Sequence, residues 1–300
     1  MQDLKEIEIV FINDNSTDKS VIIINNFKKI DKRIKLINNK INMGALYSRA
    51  IGATKAKGNY IIFCDSDDIV LKEGISKAYN HITKYNLDIV QFLSLYQSNE
   101  NIFIYKNHYK YKNVIKQPIL SYIFYDRGNE YNGYLWDKLV KKEVVLNSLK
   151  YIGEEFIQKR IMIENDLILM FAIFKMAKSF QFIECLGYYY FKSNPGSTSN
   201  SKKNPENSNA IINSILLNIK FLYEKTSNSF IDKYFCIFKI KQFFKRYNKI
   251  LKYGENHFDF MKNLFNTLFD SKFISNKDKL TLVKLYLKIF NIDGSIREKN

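Results

Sequence analysis

The feature of the sequence that most constrains its fold is a short apolar run that ends abruptly in acidic residues. Residues 60–64 read Tyr-Ile-Ile-Phe-Cys, and residues 65–68 read Asp-Ser-Asp-Asp. An apolar run of this length, bounded by Gly58 and by the acidic cluster, is typical of a buried strand, and we predict a parallel one. Ligands of open α/β sheets bind outside the carboxyl ends of such strands. We therefore expect a ligand site at residues 65–68.

The three carboxylates of this segment need counter-charges, because like charges that are buried together are costly. Carboxylate oxygens suit Mg²⁺ or Mn²⁺, and these ions in turn bridge phosphate oxygens. The alternative is a solvated acidic turn in which Asp67 or Asp68 caps a helix, and we expect Asp68 to be such a cap. From this segment alone, both interpretations remain open.

The same pattern of an apolar strand followed by a polar turn occurs near the start of the chain, where Asp14 lies in the turn. Strands and helices alternate between the two turns. We predict strands at residues 8–12, 34–37 and 60–64 and helices at 21–27 and 45–56. This order predicts right-handed parallel crossovers in an α/β domain. Asp14 and the 65–68 cluster would then lie on the same edge of one sheet, around a nucleotide crevice.

Six segments in this order resemble the motifs of family 2 glycosyltransferases with the GT-A fold. They are residues 11–18, 42–44, 48–52 with 56–60, 65–68, 135–140 and 163–167. The resemblance covers residues 3 to 200, roughly two-thirds of the chain. It implies the GT-A nucleotide-diphospho-sugar transferase fold, an α/β fold with a Rossmann-like mixed sheet. We expect this domain to span residues 1–205 and a C-terminal helical extension to span residues 206–300.

The resemblance also implies an activity and a donor site. The expected enzyme is an inverting glycosyltransferase that moves a sugar from a nucleotide-diphosphate donor, a UDP-sugar, to a glycan or lipid-linked acceptor. Asp14 would accept a hydrogen bond from the nucleobase, and Arg49 would lie near the nucleotide unless it forms only a surface ion pair. Asp67 would coordinate Mn²⁺ or Mg²⁺, and Asp65 would face the ribose or share the metal through water.

An inverting transfer also needs a general base for the acceptor hydroxyl. The resemblance of residues 163–167 to the family's Glu-Asp-Leu segment assigns this role to Asp166 rather than to Glu164. A helix that begins at Asn165 would place Asp166 in its first turn, where the helix dipole favours an anion. That favourable charge is also the alternative explanation for Asp166. Trp136 is expected either to stack on a sugar or to pack in the core.

The family's sheet normally opens with one more strand, and this chain begins where the helix after that strand would end. We interpret this as a start site assigned too late, and the alternative is an inactive relative that serves as a binding or scaffolding module. We expect a vacancy in the sheet between the strands at residues 9–12 and 60–64, and poor solubility as a result. A nucleotidyltransferase is a third option, but it would need a Gly-rich phosphate loop after the first strand.

The charge and composition of the chain raise the question of a second binding partner besides the sugar donor and acceptor. The net charge is +17, and the densest basic run lies at residues 235–252, where lysines alternate with aromatic and aliphatic residues. This run predicts either an ordinary helix with a core stripe or peripheral attachment to anionic lipid. No base-reading motif accompanies the charge, so we expect no nucleic-acid partner. The three cysteines lack the spacing of a metal site or a disulfide framework, which favours a cytoplasmic location.

Overall fold

The structure is a computed structural model, and it describes residues 3–98, 101–105, 113–120, 133–191, 208–225, 238–240 and 242–243. The chain divides into two compact units. The first unit comprises Met1–Ile161 and Asn165–Ser197, and the second comprises Met162–Glu164 and Thr198–Asn300. The domain boundary at residue 205 stays a prediction.

The first unit begins with the predicted order of strand, helix, strand and helix. Strands β1 (Ile9–Asn13) and β2 (Ile34–Asn38) form a two-stranded parallel sheet, and helices α1 (Ser20–Ile30) and α2 (Ala45–Lys55) follow them. Helix α2 buries three small or aliphatic residues that are four and three positions apart, which places them on one face of the helix. They are Leu46, Ala50 and Ala53.

The other strands of the described residues form one seven-stranded sheet. They are β3 (Tyr60–Ile62), β4 (Ile69–Val70), β5 (Ile89–Ser98), β6 (Asn101–Tyr105), β7 (Ile115–Lys116), β8 (Lys138–Lys141) and β9 (Ser179–Phe191). The main order is β3-β8-β5-β9-β4, with β6 paired to β5 and β7 paired to β9. Strands β5 and β9 are parallel, and every other pairing described in this sheet is antiparallel. The fold is a mixed α/β fold, as predicted.

Two expectations about the strand that precedes the acidic cluster need correction. Strand β3 was predicted to be parallel to its neighbours, but it runs antiparallel to β8, with Ile61 opposite Val140. Asp14 and the 65–68 cluster therefore follow strands of two different sheets rather than one edge of a single sheet. The physical reason is that β8, from much later in the chain, takes the place beside β3. Strands β1 and β3 are not hydrogen-bonded to each other within the described strands, as the predicted vacancy requires.

The centre of the seven-stranded sheet contains a buried charged network. Lys138 is fully buried, and its Nζ donates to the carbonyl of Tyr134 at 2.7 Å and to the carboxylate of Asp137. Gln91 donates to the other oxygen of Asp137. Because each charged group has a partner, the network avoids the cost of an isolated buried charge. Lys138 thus has a structural role in the sheet.

Helix α3 (Gly74–Lys84) lies very close to strand β9. A Cβ atom added at Gly74 would lie 2.1 Å from the Cα of Gly187 and 2.7 Å from the carbonyl oxygen of Leu186. A Cβ atom added at Gly187 would in turn lie 2.4 Å from the ring of Phe92. Only residues without a side chain allow the helix and the strand to approach this closely.

Three further helices complete the described part of the first unit: α4 (Lys142–Ile152), α5 (Glu154–Ile157) and α6 (Asn165–Met176). The positions of Leu167, Met170, Phe171 and Phe174, three or four residues apart, would alone account for one buried stripe on helix α6. Every residue from 167 to 174 is buried, so the helix is enclosed on all sides. A helix that is apolar around its whole circumference is typical of such an environment.

In the second unit, helix α7 (Ser208–Lys225) holds the short segment 162–164 through two side chains. Ser214 Oγ accepts from the amide of Met162 at 2.9 Å, and Asn218 Nδ2 donates to the carbonyl of Ile163 at 3.2 Å. These bonds satisfy backbone groups that a buried irregular segment would otherwise leave unpaired.

The basic run at residues 235–252 lies largely outside the described residues. Where it is described, Ile240 and Phe243 are buried, which is the packing that a core stripe requires. Lys239 is also buried, and its Nζ donates to Gln242 at 2.6 Å and lies 5.9 Å from the ring centre of Phe243. None of the helices described has both the length and the apolar content that crossing a bilayer demands.

Candidate active site

The turn after β1 is organised around the carboxylate of Asp14. One oxygen accepts from Asn39 Nδ2 at 2.8 Å and from the amide of Met43 at 2.9 Å, and the other accepts from the amide of Gly44 at 2.7 Å. Gly44 has a φ of +87°, a conformation that strongly favours glycine, and it directly precedes α2. Asp14 therefore fixes the loop that leads into α2.

Arg49 on α2 joins the two ends of the predicted site. Its Nη2 donates to Asp65 at 2.8 Å, and its Nη1 donates to Asp166 at 2.5 Å and to the side chain of Asn165. The Arg49 side chain is only 15% exposed. Burial disfavours its charge, but Asp166 and Asp65 outweigh burial and raise the pKa of Arg49 above its ordinary value. The structure thus brings together three of the predicted site residues.

Asp166 lies in the first turn of α6, because the helix begins at Asn165 as predicted. Glu164 precedes the helix with a φ of +54°, in the left-handed region. Glu164 and Asp166 therefore do not belong to one regular helical turn. The ion pair with Arg49 involves Asp166, whose side chain is 26% exposed.

The 65–68 loop is attached to strand β9 by the hydroxyl group of Tyr188. This oxygen accepts from the amide of Asp65 at 3.1 Å and donates to Asp68 Oδ2 at 2.7 Å. The amide of Phe191 donates to Asp68 Oδ1 at 2.8 Å. The expectation that Asp68 caps a helix is wrong, because Asp68 precedes strand β4 and its carboxylate binds β9 instead.

Burial raises the pKa of Asp68 to about 6, although hydrogen bonds from Phe191 and Tyr188 oppose this effect. Burial also raises the pKa of Tyr188 above its ordinary value, so this hydroxyl keeps its proton and remains a donor. Sequence analysis missed Tyr188. It lies in a run of three tyrosines at residues 188–190, and nothing in that run distinguishes the one that reaches the acidic loop.

Trp136 is 3% exposed and lies in a stack of aromatic rings. Its ring centre is 4.9 Å from that of Tyr188, 4.9 Å from that of Tyr134 and 5.6 Å from that of Tyr190. Of its two expected positions, the structure gives the one in the core. Trp136 stacks on the ring of Tyr188, and the hydroxyl group of that tyrosine binds the acidic loop, so the aromatic core connects to the site.

The acidic loop offers a donor set for a hard cation. Asp65 and Asp67 are separated by one residue, and the Asp65 side chain is 34% exposed. No group of three or more His, Cys, Asp or Glu side chains suited to a metal occurs among the residues that the structure describes. Two carboxylates nevertheless fit Mg²⁺ or Mn²⁺, because such ions are commonly held by one or two carboxylates together with substrate phosphates.

Comparison with known proteins adds a family and relatives. Residues 1–141 match the family model for glycosyl transferase family 2. The chain is 29% identical over 197 residues to a cholesterol galactosyltransferase of Borreliella burgdorferi, a match that covers 63% of this chain and 52% of that protein. It is 32% identical over 106 residues to the glycosyltransferase GlyG of Streptococcus pneumoniae, which covers 35% of each. The chain thus spans about half, or less, of the length of these relatives.

Solved structures agree with the fold described above. The TarS fragment 1–349 of S. aureus in complex with UDP-GlcNAc superposes with a TM-score of 0.58 at 14% identity, over 97% of this chain and 84% of that one. The same fragment without the sugar nucleotide gives a TM-score of 0.59 at 13% identity. Residues 1–141 of the chain thus match glycosyl transferase family 2, and the architecture described above is the GT-A fold.

Proposed function

We propose that this chain is an inverting glycosyltransferase that moves a sugar from a nucleotide-diphosphate donor, a UDP-sugar, to a hydroxyl of a glycan or lipid-linked acceptor. The observation that carries the proposal is the bridge by Arg49 between Asp65 and Asp166. A carboxylate of the donor loop and a carboxylate suited to general-base work are thereby held on one guanidinium. The family match supplies the reaction class, and the TarS complex with UDP-GlcNAc makes a UDP-sugar the first donor to test.

In the proposed reaction the acceptor hydroxyl attacks the anomeric carbon of the sugar. The new carbon–oxygen bond forms as the bond to the diphosphate breaks, and the nucleoside diphosphate leaves with the electron pair. Asp166 takes the hydroxyl proton during the attack. Because attack and departure occur on opposite faces of the anomeric carbon, the configuration inverts.

The other residues of the site serve the donor. Arg49 would exchange a carboxylate for the diphosphate, since its planar guanidinium suits either anion. Asp14 would either position the loop beside the nucleobase or accept a hydrogen bond from the nucleobase directly. Asp65 and Asp67 would hold the divalent ion, which when bound would neutralise charge on the leaving diphosphate. Trp136 would act through Tyr188 rather than by touching the sugar.

The acceptor is chosen by analogy with the relatives. The Borreliella relative is named for galactosyl transfer to cholesterol, a membrane lipid, and a relative in Bacillus spizizenii is named for glucosyl transfer to poly(ribitol-phosphate). Cholesterol and poly(ribitol-phosphate) both carry hydroxyl groups that can accept a sugar. We propose an acceptor of this broad class for the present chain.

The decisive experiment measures release of UDP from a panel of UDP-sugars by the full chain, with Mn²⁺, with Mg²⁺ and with chelator. Turnover that depends on the metal supports the proposal. In Asp67→Asn, release should be lost while the thermal midpoint is retained, because the variant removes the charge of one partly buried loop residue and no core packing. The matched control is Asp18→Asn, an exposed carboxylate in the turn after β1. Unchanged UDP release in Asp67→Asn would exclude Asp67 from the metal role.

A catalytically silent binding module is the second candidate. It is favoured by one observation, namely that the strand leading to Asp14 and the strand leading to Asp65 belong to different sheets within the described residues. Titration of the full chain with UDP and Mn²⁺ separates the candidates. Tight binding without turnover on any donor would favour the binding module.

A further inference from the structure

We propose that one face of the seven-stranded sheet is a membrane-contact surface that binds an anionic lipid bilayer. We call it the β6 face, and it consists of apolar residues on four adjacent strands. Its members are Ile69, Leu95, Ile102, Ile104, Tyr189 and Phe191. This proposal goes beyond the catalytic function, and its test does not depend on turnover.

Strand register places these side chains on the same face. Leu95 lies opposite Ile104 on β6 and opposite Tyr189 on β9, and Tyr189 lies opposite Ile69 on β4. Residues directly opposite in neighbouring strands point to the same side of a sheet, and so do residues two positions apart along a strand. The next row, two positions further along, adds Ile102 and Phe191 on either side of Gln97.

The β6 face is exposed where an ordinary sheet face would be covered. Ile69 is 56% exposed, Ile102 59%, Ile104 43% and Phe191 37%. Single exposed apolar residues are common on soluble proteins, but a contiguous patch usually indicates an interaction surface. Strand β6 also exposes Phe103, which points to the opposite face and is 44% exposed. The β5–β6 hairpin therefore presents apolar side chains on both of its faces at this end.

The charge of the neighbouring sequence favours anionic lipid as the occupant. Residues 101–125 contain no Asp or Glu, whereas three lysines follow β6 within seven residues. They are Lys106, Lys110 and Lys112, interleaved in the sequence with Tyr105, Tyr109 and Tyr111. Lysine attracts acidic headgroups, and tyrosine suits the boundary between headgroups and acyl chains. An apolar patch whose strand continues in sequence into such a basic segment fits an anionic bilayer surface, and the net charge of +17 complements it.

The β6 face also adjoins the candidate active site. Ile69 directly follows Asp68, and the amide of Phe191 binds the Asp68 carboxylate. Docking of this face on a bilayer would therefore bring the candidate active site close to the membrane surface, although the carboxylates of residues 65–68 themselves repel anionic headgroups. Such a position suits an acceptor that is embedded in the membrane.

The test uses flotation of the full chain with vesicles of phosphatidylcholine alone and of phosphatidylcholine mixed equally with phosphatidylglycerol. The variant Ile102→Thr/Ile104→Thr keeps β-branched residues in the strand and removes apolar surface. The matched control is Ile22→Thr/Ile23→Thr on α1, where the two residues are 62% and 52% exposed. We expect wild type and control to float with the mixed vesicles. The affinity of the β6 variant for the mixed vesicles should be lower by about tenfold or more.

Three outcomes would overturn the proposal. The first is no binding of wild type to the mixed vesicles. The second is equal binding of wild type and the β6 variant, which would point to residues 235–252 as the lipid-binding segment. The third is a dimer in light scattering that the β6 variant abolishes, since a second copy of the chain would then cover the face.

A second measurement guards against misfolding of the double variant. In Ile102→Trp, the new indole should be quenched by brominated phospholipid in the mixed vesicles, and in the control Ile23→Trp it should not. The chain's own Trp136 is buried and gives the same background in both proteins. Equal quenching of the two variants would also overturn the proposal.

Discussion

The turn after β1 and the loop after β3 look alike in sequence, yet different kinds of donor hold their carboxylates. Asp14 accepts from the backbone amides of Met43 and Gly44 and from the side chain of Asn39. Asp65 accepts from the guanidinium of Arg49. Backbone amides are fixed once the loop is folded, whereas a long cationic side chain can exchange one anion for another. The first carboxylate therefore belongs to the framework, and the second belongs to an exchangeable network.

The largest expected effect concerns the far end of that network. Asp166→Asn keeps the size of the side chain but cannot take a proton, so turnover should fall by about 10²–10⁴-fold while UDP affinity is retained. Glu164→Gln, two residues earlier, should leave turnover near that of wild type. Steady-state UDP release and calorimetric titration of both variants provide the measurement. A silent Asp166→Asn beside an inactive Glu164→Gln would transfer the role of base to Glu164.

The next effect tests whether the network needs the shape of Arg49 or only its charge. Arg49→Lys keeps the charge but cannot contact Asp65 and Asp166 through two separate nitrogens of one planar group, so turnover should fall by roughly 10–100-fold. The control is Arg33→Lys, because Arg33 forms a similar pair with Asp31 that lies in a surface turn. Equal turnover of Arg49→Lys and wild type would show that the site needs only the positive charge of residue 49, and not its planar guanidinium.

Loss of the hydrogen bonds that Asp14 accepts should lower the free energy of unfolding. Asp14→Asn replaces one acceptor oxygen by an amide that faces backbone donors, and we expect the free energy of unfolding to drop by about 1–3 kcal/mol. Urea denaturation of this variant beside Asp18→Asn, whose carboxylate is exposed, measures the difference. Unchanged stability together with lost UDP binding would instead assign Asp14 to the nucleobase.

The smallest effect is a pH dependence in the acidic loop. The pKa of Asp68 is raised from its ordinary value of 3.8 to about 6, so the folded protein binds this proton more tightly than the unfolded chain. The contribution of protonated Asp68 to stability is therefore present below pH 3.8 and is lost as the pH rises through about 6. The difference in unfolding free energy between wild type and Asp68→Asn should follow this trend.

Asp31 supplies the opposite trend as a control. Hydrogen bonds from Arg33 lower the pKa of Asp31 from 3.8 to about 2. Its contribution to stability should be present above pH 3.8 and lost as the pH falls through about 2. If the unfolding free energies of wild type and Asp68→Asn run parallel between pH 3.8 and about 6, the raised pKa of Asp68 is excluded.

Local sequence patterns predicted the elements that surround the site. The order of strands and helices up to β3 and the start of α6 at Asn165 both follow from short-range signals. These signals lie within a few residues of the feature they predict. The start of α6, for example, follows from a polar pair, Asn165 and Asp166, before an apolar run.

The contacts that sequence analysis missed all join distant segments. The direction of β3 depends on β8, and the role of Asp68 depends on Tyr188 and on the amide of Phe191. A carboxylate that caps a helix and one that binds a remote strand have the same local sequence. Only the three-dimensional arrangement distinguishes them, because the partner is chosen by tertiary packing.

The close contact between Gly74 and Gly187 affects how a mutational scan of this protein should be interpreted. Substitution at Gly74 would force helix α3 away from β9, and substitution at Gly187 would drive a side chain into the ring of Phe92. Shortening the partner glycine cannot compensate for a change at Gly74, because Gly187 has no side chain to remove. A random-mutation screen should therefore find residues 187 and 188 equally intolerant. Gly187 would fail through lost expression, whereas Tyr188→Phe would yield an abundant protein with an impaired site, so abundance must be scored beside activity before residues are assigned to catalysis.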